Sequence, residues 1–184
     1  MKWYAIFVKS GMEELVLSYL DLMLNGKLKL HAQLLVPKRE LIEYSRGTKK
    51  STIRILYPGY VFMRINEIYS AYFLIKERWH SAIYKFLRND DYFYEISENE
   101  IGQMIQMLDE KGIIRISNIC VEKNRILALD GPLTLYNGKI IKINTRKGRA
   151  KIQLELHNES RTVDIGINCC SEIKDHKILK IIEF

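Results

Sequence analysis

The sequence predicts an α+β protein in two parts: an N-terminal α/β domain over residues 1–109 and a small five-stranded β-barrel over residues 123–184, joined by a linker at 110–122. Three observations carry this reading. Helical and extended periodicities alternate up to residue 109, and no helical periodicity continues past 118. Five short alternating segments, parted by turn residues, then fill the rest of the chain.

Taken in order, "WYAIFV" (3–8) is an aromatic and β-branched run that fits a strand, punctuated by Ser10 and Gly11. "MEELVLSYLDLML" sets Leu15, Tyr19 and Met23 beside Val16, Leu20 and Leu24, one broad apolar helix face. Asn25 and Gly26 are expected to end that helix through their preference for left-handed caps. "AQLLVPKRELIEY" reads as extended, with Pro37 confining it to an edge or bulge, and "SRGTKKST" reads as a basic, polar loop. "IRILYPGYVFMRI" is a strand broken at Pro58-Gly59. "EIYSAYFLIKER" has helical spacing, and "IYKFLR" and "YFYEI" read as short strands around Asn89-Asp90-Asp91. "SENEIGQMIQMLDE" is a helix with Ile101, Met104, Ile105 and Leu108 on one face.

The linker carries Ile113, Ile114, Ile116 and Ile119, an apolar content suited to packing on a domain rather than to a free tether. Beyond it, "RILAL", "GKIIKI", "AKIQLEL", "RTVDIGI" and "ILKII" are the five strands, separated by Asp-Gly-Pro, Asn-Gly, Lys-Gly and Asn-rich turns. In "RAKIQLEL", Ala150, Ile152, Leu154 and Leu156 point one way and Lys151, Gln153 and Glu155 the other. The cations are therefore expected outside.

Composition narrows the function. With 184 residues and 47% hydrophobic content the chain can fill a core, and its formal charge of +7 makes a polyanion a plausible partner. No run approaches a membrane span and the start lacks a signal peptide, so a cytoplasmic protein with no membrane partner is expected. The four histidines are scattered and fit no catalytic or metal-binding spacing. Cys120, Cys169 and Cys170 form no metal or disulfide framework, and Asp90-Asp91 reads as a polar turn. The expectation is a non-enzyme with neither cofactor nor metal.

Two segments carry binding chemistry. From Lys139 to Lys151 the chain holds Lys139, Lys142, Arg146, Lys147, Arg149 and Lys151 with no acidic residue among them. A charged hairpin can serve solubility alone, but such a stripe also suits phosphates, and Asn144, Thr145 and Gln153 add hydrogen-bonding groups for bases. In "YPGYVFMRI", Tyr57, Val61, Met63 and Ile65 fall on one face and Tyr60 and Phe62 on the other. Helices could cover both faces, or one aromatic face could stay exposed for docking; spacing alone leaves both open. A further cationic stretch, "IKERWHS", offers Trp79 for base stacking beside Arg78 and His80.

Together these residues resemble the NusG family of transcription elongation factors. "KWYAIFVKSG", "LVPKRELIEY" and above all "YPGYVFM" are similar to its N-terminal NGN domain, an antiparallel sheet with flanking helices. "ILALDGPLTLYNGKIIKI" followed by "RKGRAKIQLEL" is similar to its KOW domain, an SH3-like barrel. The resemblance implies docking of the first domain on the clamp helices of bacterial RNA polymerase, through Tyr57, Tyr60 and Phe62 with Trp3 and Tyr4 in the strand beside them. It also implies that Arg78, Trp79 and His80 approach non-template DNA, although this loop departs from the family's common pattern. Where general members carry a phenylalanine-glycine turn for Rho or a ribosomal protein, this chain reads His157-Asn158. The basic hairpin instead resembles the specialised LoaP paralogues, which implies an antitermination factor, acting as a monomer, whose KOW domain binds a hairpin in nascent leader RNA. A general elongation factor and a ribosomal KOW-type RNA-binding protein are the alternatives.

Overall fold

In the computed structural model of the chain, residues 1–45, 47–89, 92–122, 125–156, 159–170 and 180–183 are described. The chain forms two compact units: residues 1–36 with 57–98, and residues 37–56 with 99–184.

The first unit is built on a four-stranded antiparallel sheet of β1 (Lys2–Val8), β2 (Gln33–Leu35), β5 (Tyr60–Ile65) and β6 (Ile83–Phe86), in the order β2-β5-β1-β6. The central strands β1 and β5 pair Trp3 with Arg64 and Phe7 with Tyr60. Both are buried on both faces, which explains their near-continuous apolar sequence. Helix α1 (Glu13–Asp21) buries Val16 and Leu20, and α2 (Ile68–Glu77) buries Ile68, Ala71 and Ile75. Asn25 and Gly26 do not end the first helix as expected, since it continues as a wide π-helical turn over Leu22–Lys27. The Asn25 amide instead donates to Ala32 O and accepts from Ala32 N, closing the return into β2, and positive φ falls later, at Lys29 and His31. The segment read as a strand at 92–96 contributes only single bridges, at Phe93 and Ile96. Phe93 sits edge-on among Tyr4, Tyr69, Tyr72 and Phe86, so ring packing rather than strand pairing holds it.

The second unit holds the hairpin of β3 (Lys38–Ser45) and β4 (Thr48–Ile55), with β7 (Ile113–Ile114) parallel to β3. Thr48–Thr52, expected as loop, is therefore strand: eight consecutive pairs bind it to β3 while its side chains remain mostly exposed, which hides the apolar alternation of a half-buried strand. Helix α3 (Glu98–Met107) buries Ile101, Met104 and Met107. The remaining strands are β8 (Ser117–Glu122), β9 (Arg125–Ala128), β10 (Ile140–Asn144), β11 (Arg149–Leu156), β12 (Glu159–Cys169) and β13 (Lys180–Glu183). They form one curled sheet in the order β10-β11-β12-β8-β9-β13. The expected count was five; β8, from residues read as linker, is the sixth, because Ser117, Ile119 and Cys120 are buried and its parallel pairing with β12 joins the two halves of the sheet. Tyr136 lies in this core at 1% exposure, its hydroxyl bonded to the backbone of Lys139 and Gln153.

Candidate functional site

The basic hairpin is set by register. Strands β10 and β11 pair Asn144 with Arg149 and Lys142 directly with Lys151, with a bulge between Ile140 and Lys142. On β11, Ala150, Ile152, Leu154 and Leu156 are buried, which turns Arg149, Lys151 and Gln153 to the other face. On its far side β11 pairs Lys151 with Asp164 and Arg149 with Gly166 of β12. The turn between β10 and β11 is fixed by Asn144, whose side-chain oxygen accepts from Lys147 N at 2.9 Å, and by Gly148 at φ 62°.

These constraints gather Lys142, Lys147, Arg149 and Lys151 around one shallow pocket of about 190 Å³, with Asn144 and Asp164 completing its lining. Lys139, on the approach to β10, and Arg146, on the turn, are exposed outside it. Asp164 lies 4.0 Å from Lys151 Nζ, a loose and solvent-exposed pair. Like charges placed opposite each other on a ladder destabilise it, so the Lys142–Lys151 row is an arrangement an anion would relieve.

The aromatic residues of the first unit are arranged differently. Trp3, Tyr4, Tyr57 and Phe62 are buried and Tyr60 is half-buried. Tyr57 packs edge-on to Phe62 at 5.9 Å, and Arg64 lies over the Trp3 ring at 5.9 Å while bonding Glu98. The surface carries a ring group centred on Phe7, which contacts Tyr60 at 5.6 Å and Tyr84 at 5.3 Å, Tyr84 being 52% exposed. Phe7 and Tyr84 were not singled out from the sequence. The signal was the register itself, since Phe7 faces Tyr60 and Tyr84 alternates with buried Ile83.

At the end of α2, Arg78 N bonds Leu74 O and Trp79 is 43% exposed. His80 Nδ1 accepts from Ala82 N at 3.1 Å, so the imidazole holds the turn into β6. Tyr19, also missed, donates its hydroxyl to Arg78 O and packs on the His80 ring at 5.2 Å. His157-Asn158 and Asp90-Asp91 lie outside the described residues. Among the described residues no group of His, Cys, Asp and Glu is placed to hold a metal, and no helix is long and apolar enough to cross a membrane.

Known proteins share this arrangement. A family model described as "Transcription termination factor nusG" matches residues 1–105. The chain is similar to the transcription termination/antitermination protein NusG of Pseudomonas aeruginosa, 23% identical over 168 residues that cover 89% of this chain and 94% of that protein. It is similar to the Helicobacter pylori protein of the same name, 22% identical over 173 residues, covering 90% and 94%. Among solved structures, one titled "Domain interaction in Thermotoga maritima NusG" shares the fold with a TM-score of 0.53, covering 91% of this chain and 93% of that one at 18% identity.

Proposed function

The chain belongs to the NusG family of transcription termination and antitermination proteins, and from that premise we propose that it is a specialised, processive antitermination factor. In this reading the N-terminal domain, residues 1–109, docks on the clamp helices of RNA polymerase through the surface around Tyr60, with Tyr57, Phe62, Trp3 and Tyr4 as its support. The KOW domain, residues 123–184, holds a hairpin of nascent leader RNA on Lys139, Lys142, Arg146, Lys147, Arg149 and Lys151. Arg78, Trp79 and His80 approach the non-template strand.

The observation that carries the reading is the row Lys142–Lys151 flanked by Arg149 and Lys147 around a single pocket. Arg149 can fork onto a phosphate and the lysines act as point charges. Phe7, Tyr60 and Tyr84 supply an exposed aromatic surface of the kind that anchors protein interfaces. No bond is made or broken. Binding to one polymerase conformation shifts its population, and ~1.4 kcal/mol of preference changes a pausing equilibrium tenfold.

Run-off transcription across a terminator tests this. Read-through should rise on a template carrying the leader of the chain's own gene cluster and stay unchanged without it. A rise on every template would make the chain a general elongation factor, and no rise on either would overturn the reading.

A further inference from the structure

A second depression, of about 360 Å³, is lined by Ile42, Glu43, Lys147 and Arg149. It shares Lys147 and Arg149 with the pocket on the basic face, so the two are continuous through those cations. Its other wall is the β3–β4 hairpin.

That hairpin is seated firmly. Arg39 Nη1 donates to Asp164 O at 2.5 Å, one peptide along from the β12 residues that face β11's cations. A Cβ at Gly166 would overlap the Glu40 carbonyl oxygen, so β3 approaches β12 backbone to backbone. At Gly148, in the basic turn, a Cβ would come within 3.0 Å of Ile167 O and 3.4 Å of Ile42 Cδ1. Arg115 bonds Asp109 at 2.6 Å and reaches Glu40 at 3.6 Å, fixing the base of the hairpin.

The wall is also charged. Lys50 pairs directly with Glu43 on the ladder, which places its ammonium stem beside the depression, and Lys49 precedes it; both are exposed. The acids there are already engaged: Glu43 takes both bonds of the Arg54 guanidinium at 3.1 and 3.0 Å, and Glu40 accepts from Ser51. We propose that the β3–β4 hairpin is the second wall of the RNA site, with Lys49 and Lys50 contacting phosphates of the same hairpin RNA that lies on Lys142, Lys147, Arg149 and Lys151. This rests on the RNA-binding reading above and extends it from one face to a groove with two walls. An RNA stem suits it, because its two strands offer two lines of phosphates to opposed walls.

The test uses the full chain and a synthetic hairpin from the leader of its own gene cluster, titrated over a range of salt. Lys49→Gln/Lys50→Gln should weaken binding about three- to tenfold near 0.15 M salt and lower the slope of log K against log salt by roughly 1.4 to 1.8, for two phosphates released. Lys142→Gln is the control within the basic face. A 4-thiouridine-substituted hairpin should cross-link to peptides from both 38–55 and 139–151. Wild-type binding with an unchanged affinity and slope in the double variant, and cross-links confined to 139–151, would overturn the second wall alone. A wild-type chain that does not bind the hairpin at all would overturn the RNA reading and this inference with it.

Discussion

The buried carboxylate of Glu13 accepts a hydrogen bond from the backbone N–H of Gly59 at 2.7 Å, while its second oxygen accepts from Gly11 N at 2.8 Å. Two turns 48 residues apart in sequence are thereby tied by one side chain that is 1% exposed. Gly59 at φ 85° leads directly into Tyr60, so this clamp also sets the start of β5 and the partner of Phe7. Glu13→Ala would leave two amides without acceptors, at about 1 to 3 kcal/mol for each group that water cannot reach. The expected loss is about 2 to 4 kcal/mol, read as a lower urea midpoint with an unchanged m-value. Glu13→Gln should lose part of this, since its amide nitrogen would face an N–H. An unchanged midpoint in the alanine variant would remove Glu13 from the account of the fold.

Tyr136 makes a comparable prediction with a pH dependence. Its hydroxyl lies 2.6 Å from Gln153 O and 3.0 Å from Lys139 O, and it accepts from Gln153 N at 3.2 Å. Burial pushes its phenol above the ordinary value of 10.0, against the opposing effect of the Gln153 backbone. A raised pKa means that the stabilisation is complete below the ordinary value and is lost as pH climbs through the raised one. Tyr136→Phe should cost about 1 to 3 kcal/mol at neutral pH. Above pH 10 the urea midpoints of the two proteins should converge, because only the wild type loses this contribution. A constant difference to high pH would mean that the hydroxyl does not titrate with folding.

The thiols offer a third test. Burial raises the Cys169 thiol above its ordinary 9.0, helped by the nearness of Cys120 and Cys170 and opposed by a bond from the Val121 backbone. The residue is exposed all the same, while Cys120 is buried. Accessibility and reactivity therefore part company here, since the thiolate is the nucleophile. Iodoacetamide at mildly alkaline pH should label Cys169 more slowly than free cysteine, with a rate still rising where free cysteine has levelled off. Mass spectrometry of timed samples reads this directly, and labelling faster than free cysteine would contradict the raised thiol.

How much of this was legible in the sequence depends on whether one face of a segment meets a core. β5 and β11 were legible because burial writes itself as continuous or alternating apolar residues, and Gly59 because only a turn explains Pro58-Gly59 there. β4 was not, because the polar side chains of "TKKST" conceal a strand held by its backbone ladder. β8 was hidden by an isoleucine-rich run whose partner, β12, lies about 50 residues away and pairs in parallel. The basic run was legible as composition. That Lys142, rather than Ile141, stands opposite Lys151 depends on a bulge that no single-residue signal announces. The aromatic run misled in a different way: Tyr57 and Phe62 look like a surface in isolation and are core because β1 and β6 cover them in a small sheet.

The Lys142–Lys151 row predicts a conflict between stability and binding. Direct like-charge opposition on a ladder costs about 0.2 to 1 kcal/mol, and the only printed relief, Asp164, stands 4.0 Å from Lys151 in an exposed position. Lys142→Gln keeps the Lys151–Asp164 pair and removes the opposition, so the folded protein should gain roughly that amount at low salt. The gain should fade as added salt screens exposed charges. RNA affinity should move the other way, with the salt slope lower by roughly 0.7 to 0.9 for one phosphate contact. Urea midpoints and RNA titrations on the same preparation check both halves. A variant that is more stable and weaker for RNA identifies the row as strain kept for an anion. A variant that loses stability would mean that the lysine stem supports β10 by packing, and the charges would then have no claim to be a binding device.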